Sequence, residues 1–360
     1  MIKKISLFNH KGGVSKTTTT FHLGWMLAEQ GKRTLLVDAD PQCNLTGLIL
    51  GYKQTELEDF YKSKNNNNLR DGLAPAFESR PSPIEAVNCV TIDGPEGLFL
   101  LPGHIRLAEY DVTLGMAQHI SGSIITLQNL PGSINYLLNK TAEKYSAEYV
   151  LIDMSPSLSS INQNLLMISD FFIVPASPDY YSVMAIDSLV MILDRWNRWS
   201  KMIQGMDIIK EAVYPFPEVI PKFLGTIIQK YRLMGGKPSK GFQNWIDEIN
   251  KIVGEKLVPK LKSQEMIMPD EYYKDNGIRD DYCLALISEF NTLIAISQKN
   301  QTPVFALTHE QIKEAKQTGI VLDKQTDSVT TFHKVFEDLA NKVIKLTELA
   351  DSLILTSTEG

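Results

Sequence analysis

FNHKGGVSKTTTT, residues 8–20, sets two lysines, Lys11 and Lys16, around adjacent glycines and follows them with a run of threonines. The strand-like KISLFN, residues 4–9, leads into it, and TTTTFHLGWMLAEQGK, residues 17–32, leaves it with apolar residues at helical spacing up to about Gly31. Strand, glycine turn and helix start together make a phosphate cradle. Backbone N–H groups and the helix N-terminus hold anionic oxygens, a lysine serves the β- and γ-phosphates, and a hydroxyl serves magnesium. Lys16 and Thr17 supply the lysine and the hydroxyl, while Gly12, Gly13, Val14 and Ser15 supply the loop and Thr18 a further donor. Two departures from the plain G-x-x-x-x-G-K-[ST] pattern stand out: Ser15 occupies the place of the second glycine, and Lys11 is an additional cation.

Downstream, RTLLVDAD (33–40), YVLIDMSPS (149–157) and FFIVPASPD (171–179) are apolar runs ending in polar loops. Strands alternating with helices predict an α/β fold with a doubly wound, mostly parallel sheet, helices on both faces and ligands at the carboxyl ends of the strands. The chain reads as a single domain over 1–360. KSKNNNN and ESRPSP mark about 52–102 as a surface excursion of loop and short helix, and about 196–222 and 233–300 read as helical elaborations on the same core. FHKVFEDLANKVIKLTELADSLI, residues 332–354, predicts a closing amphipathic helix.

The 360 residues carry a net charge of −6, so contact with nucleic acid or anionic lipid requires a local basic patch rather than a global field. Cys43, Cys89 and Cys283 lie far apart, in no zinc spacing and no disulfide framework. With no signal-peptide pattern and no apolar run of about 18 residues, the expected location is the cytoplasm.

The loop Lys11, Gly12, Gly13, Lys16, Thr17 resembles the K-G-G-x-x-K-[ST] loop of the deviant Walker A ATPases of the ParA/MinD group. LLVDADPQCNLT is similar to that group's V-D-x-D-P-Q-x-N, and YVLIDMSPSL to its I-D-T-P-P-S-L. FALTHEQIKEAKQTG resembles its I-P-R-x-x-x-x-x-E-A segment, with Leu307 and Thr308 in place of the Pro-Arg pair. The resemblance implies a P-loop NTPase fold, ATP and Mg2+ as cofactors, and an ATP-dependent homodimer in which Lys11 reaches the partner's nucleotide. Phosphoryl transfer needs alignment and charge neutralisation more than covalent help. On that chemistry Lys16 bridges the β- and γ-phosphates, Thr17 and Asp153 hold the metal with support from Asp38, and Asp40 orients the attacking water. Strand-end aspartates also cap helices and turns, which is the competing reading for Asp38, Asp40 and Asp153.

VDADPQCN and the SPS after Asp153 lean toward the ParA branch: DNA segregation or cargo positioning, nonspecific DNA binding, an activating adaptor of ParB type, and nucleoid association. The alternative is an accessory ATPase of another assembly. A MinD-like membrane switch fits less well, because the tail KVIKLTELADSLILTSTEG has acidic residues after its last lysine. Arg232, Lys237 and Lys240, in a stretch that also holds Lys230, and Lys260 with Lys262 are the candidate DNA contacts. Trp196, Trp199 and Trp245 read as core residues.

Overall fold

The computed structural model describes residues 1–51, 61, 66–120, 127–315 and 319–358. KKISL, TLLVD, YVLID and FFIVPA form β1 (Lys3–Leu7), β2 (Thr34–Asp38), β5 (Tyr149–Asp153) and β6 (Phe171–Ala176), each buried along its whole length. Such continuous apolar runs suit strands covered on both faces. With β3 (Val90–Thr91), β4 (Leu98–Leu101), β7 (Lys222–Tyr231) and β10 (Cys283–Ser288) they build one eight-stranded sheet in the order β10-β7-β6-β1-β5-β2-β4-β3. Every pairing is parallel except β3 with β4. A separate hairpin pairs β8 (Leu233–Met234) with β9 (Lys237–Pro238). The expected α/β architecture is therefore the observed one.

Leu7 and Asp38 both pair with Asp153, which brings the ends of β1, β2 and β5 level. The chain leaves β1 for β2 on one side and returns with β6 on the other, so a crevice opens beside β1 at this switch of direction.

α1 (Lys16–Glu29) packs over β2 and β5. Gly24 permits the approach, since a Cβ there would stand 2.3 Å from Leu36 Cδ2. Between β2 and β7 run α2 (Asn44–Leu50), α3 (Leu69–Phe77), α4 (Glu109–Ile120), α5 (Leu130–Lys144), α6 (Ser160–Met167) and α7 (Tyr180–Gln204). After β9 come α8 (Lys240–Ile252), α9 (Val258–Ser263), α10 (Leu293–Asn300) and α11 (Ile320–Thr358). The closing helix α11 begins twelve residues earlier than the sequence predicts and buries Phe336, Leu339, Val343 and Leu346 against α1 and β10. Among the described residues no helix is long and apolar enough to cross a membrane.

Three expectations are corrected. The first part of the excursion, 52–60 and 62–65, lies outside the described residues, and ESRPSP, residues 78–83, is exposed loop as expected, but the remainder also contributes to the core. β4 enters the sheet with all four residues buried, and α3 buries Leu69, Leu73 and Ala74. LFLL is so short, and so closely bounded by Gly97 and Pro102, that its apolar signal is lost in polar text. The segment 233–300 is likewise no pure elaboration, because it supplies the edge strand β10. The segment 196–222 opens inside α7, where Trp196 is buried and packs on Phe8 at 5.2 Å between ring centroids.

Candidate functional site

The loop between β1 and α1 lies at the crevice. Gly13 and Ser15 both take left-handed backbone, at φ 75° and 57°. Glycine accepts that region freely, whereas at Ser15 it costs about 1 kcal/mol, so the departure from the plain loop sits on a strained residue. Thr19 and Thr20 bond back onto the start of α1. Thr20 Oγ1 donates to Lys16 O at 3.0 Å, and Thr19 Oγ1 donates to Ser15 O at 2.8 Å.

Lys16 is buried, and its ammonium donates to the carbonyls of Asn9 at 2.8 Å and Lys11 at 3.2 Å. Burial lowers its pKa to about 8, against the pull of Asp153 and Asp40. Lys11 turns the other way. Its Nζ sits 2.5 Å from Asp179 Oδ2 and 3.1 Å from Ser182 Oγ, at the start of α7 in the same chain.

Asp153 ends β5 fully buried, and among the described residues neither carboxylate oxygen has a hydrogen-bond partner. Burial raises its pKa well above the usual carboxylate range and the neighbouring Asp38 adds to the rise, while the nearby Thr17 hydroxyl and Lys16 temper it. Asp38 is held differently: its Oδ2 accepts from Thr46 N at 2.8 Å and Thr46 Oγ1 at 2.6 Å. Thr46 Oγ1 in turn accepts from Gly103 N at 2.9 Å. Burial pushes the Asp38 pKa up to about 6 in spite of these bonds. Asp40 donates its N–H to Asp38, and its Oδ1 accepts from Gln42 N at 2.9 Å.

A cleft of about 630 Å3 opens on the loop and Asp40, lined by Gly13 to Thr18, Asp40, Pro156, Gln229, Lys230 and the wall Ile287 to Asn291. Residues that carry no motif complete it. Gln229 Nε2 donates to Val14 O at 2.9 Å and Thr19 Oγ1 at 2.8 Å, and Lys230 Nζ donates to Gly13 O at 2.8 Å. Phe290 stacks on His22 at 5.2 Å, and His22 bridges Thr18 O and Val304 N at 2.8 and 3.0 Å. The run LGTIIQK ends in polar residues as the other strands do, and that was the available signal for Gln229 and Lys230.

The expected basic patch divides. Arg232 pairs with Glu289, Lys260 with Asp194 and Lys262 with Asp270, at 3.0, 3.0 and 2.6 Å. Lys237 and Lys240 are exposed around β9 and hold no ion pair among the described residues. Lys230, read with them in the sequence, belongs to the phosphate loop instead.

The arrangement suits a magnesium–nucleotide complex. Among the described residues no cluster of three or more acidic, His or Cys side chains could enclose a metal by itself. Magnesium typically takes one or two carboxylates and completes its shell with water and phosphate oxygens, and the unpartnered Asp153 carboxylate near the Thr17 hydroxyl offers such a half-site.

A family model described as an AAA domain (AAA_31) matches residues 2–203. The chain is 31% identical over 236 residues to the uncharacterised protein MJECL24 of Methanocaldococcus jannaschii, covering 66% of this chain and 76% of that one. It is 28% identical over 209 residues to the sporulation initiation inhibitor protein Soj of Bacillus subtilis, covering 57% and 72%. Identity to the chromosome partitioning protein ParA of Caulobacter vibrioides is 30% over 201 residues, covering 54% and 63%. Among solved structures, pNOB8 ParA bound to nonspecific DNA shares the fold over 97% of this chain and 99% of that one, at a TM-score of 0.57 and 20% identity. Cyanothece McdA in complex with ATP does so over 95% and 96%, at 0.57 and 16%.

Proposed function

Because the chain belongs to the AAA domain family and is a P-loop ATPase of the ParA/MinD type, we propose that it is an ATP-driven dimerising switch that acts on DNA or DNA-bound cargo. The observation that carries the reading is the buried, unpartnered Asp153 carboxylate beside a phosphate loop whose lysine is already in place. ATP lies on the loop, with Lys16 exchanging its two backbone carbonyls for β- and γ-phosphate oxygens. Thr17 and Asp153 hold Mg2+, and Asp38, fixed by Thr46, supports that shell. Bound magnesium supplies positive charge to the phosphate oxygens. Asp40 positions the attacking water, since phosphoryl transfer needs alignment more than early proton abstraction.

Lys11 completes the charge balance only in a dimer. It leaves Asp179 and Ser182 for the partner's nucleotide, so closure depends on ATP and hydrolysis releases it. Relatives named for partitioning and a fold shared with a DNA-bound ParA support DNA as the surface, and an adaptor of ParB type would be the activator. The unpaired Lys237 and Lys240 would contact phosphates first.

The test is the Asp40→Ala variant, which should bind ATP, close and stay closed. That trapped dimer should retain DNA at low salt and release it steeply as salt rises, because each phosphate contact displaces counterions. No ATP-dependent retention at any salt overturns the DNA reading. One observation favours a second reading, an accessory ATPase of a protein assembly: Arg232, Lys260 and Lys262 already hold acidic partners.

A further inference from the structure

β7 ends irregularly where it meets the phosphate loop. Along the β10 pairing, Ile287 faces Gln229 and Ser288 faces Tyr231, so Lys230 is an extra residue with no counterpart. It is a β-bulge, and Lys230 takes φ 67°, a left-handed conformation that a long side chain adopts at a cost. Consecutive residues of a regular strand point to opposite faces of the sheet. Here they do not: Gln229 donates to Val14 O and Lys230 to Gly13 O, two neighbouring carbonyls of one loop. The bulge re-aims the lysine into the cleft that Gly13 and Lys16 also line. Among the described residues that line the cleft, Lys16 and Lys230 are the two cations, and Lys11, engaged with Asp179, is not one of them.

We propose that Lys230 is a second cation, supplied in cis, for the phosphates of the bound nucleotide, and that the β7 bulge exists to aim it. This rests on the phosphate-loop reading of the site. A strained, re-aimed lysine is an inefficient way to satisfy one exposed carbonyl, which water would serve as well. An anionic ligand on the loop gives the ammonium a charged partner, and hydrogen bonds between charged groups are about twice as strong as neutral ones.

The experiment measures ADP and ATP affinity across salt for the full chain and for Lys230→Met, Lys230→Arg and Lys16→Ala. Methionine keeps the unbranched stem and the backbone demand while removing the charge. We expect Lys230→Met to bind both nucleotides about tenfold more weakly at low salt, with a shallower salt dependence, and Lys230→Arg to restore both. Wild-type affinity in Lys230→Met, while Lys16→Ala loses binding, overturns the proposal and leaves the phosphate-loop reading intact. A loss that is constant across salt and not restored by arginine also overturns it, because that marks a loop-shaping role. Unchanged binding in Lys16→Ala removes the phosphate-loop reading itself.

Discussion

Residues 8–18 and residues 227–232 meet at one loop, yet they reach it by different chemistry. The first segment offers an anion backbone N–H groups together with one ammonium and one hydroxyl, and that demands glycine, lysine and threonine at fixed offsets. The second contributes through the side chains of Gln229 and Lys230, and needs only a strand end and a bulge to present them. The family match has the same boundary, covering residues 2–203 and stopping before β7. Sites that constrain backbone leave a pattern in sequence, whereas side-chain supports tolerate many solutions and leave almost none.

The sharpest way to break this contrast is to compare the two lysines. Lys16→Ala should weaken ATP binding by about 100-fold, well beyond the effect at Lys230, because a desolvated ammonium on the β- and γ-oxygens has no substitute in the loop. Calorimetric titration giving the two variants equal losses would erase the distinction. The pKa of about 8 adds a pH signature. The nucleotide binds the charged amine, so affinity should be level near pH 7 and fall as pH rises above about 8 in wild type but not in Lys16→Met.

A second contrast lies between a buried carboxylate with no hydrogen-bond partner among the described residues and a histidine with both ring nitrogens committed. Asp153 has a raised folded-state pKa, so its contribution is favourable below the unfolded value and lost as pH rises. Asp153→Asn should therefore stabilise the nucleotide-free protein at pH 8 in denaturant melts, while abolishing magnesium-dependent turnover. A destabilised variant would mean the carboxylate is a structural element.

His22 behaves in the opposite sense. Full burial lowers its pKa to about 3, and both ring nitrogens are committed, to Thr18 O and Val304 N. The unfolded imidazole takes a proton near pH 6.5 and the folded one does not, so stability is level above that pH and falls below it. Between pH 7 and 5 wild type should lose about 2 kcal/mol more than His22→Gln. Equal losses in parallel melts would remove this link between α1 and the turn at Val304. The smallest effect is expected on DNA: replacing Arg232, Lys237 and Lys240 with Ala should flatten the salt slope of the trapped dimer by less than three charges, since Arg232 is already paired.

Much of the sheet could be read in advance because β1, β2, β5 and β6 are unbroken apolar runs with polar ends. β4 is hidden by its length, β7 by lying in the gap between two stretches that read as elaborations, and β10 by lying inside the second of them. At the site, the loop and the three aspartates carried their offsets in the sequence. Thr46 and Gly103, which hold Asp38, did not, because a hydroxyl and a backbone N–H brought together by β4 leave no spacing to find. The same is true of Asp179, whose grip on Lys11 depends on β6 lying beside β1.

In the proposed switch Lys11 works in the partner's site, and its grip on Asp179 in the single chain is the state it must leave. Sedimentation velocity on wild type and Lys11→Ala, each with ADP or with ATP and Mg2+, tests it most directly. Wild type should be monomeric with ADP and dimeric with ATP, and Lys11→Ala should bind ADP normally but stay monomeric with ATP. A Lys11→Ala protein that dimerises with ATP as wild type does would contradict it.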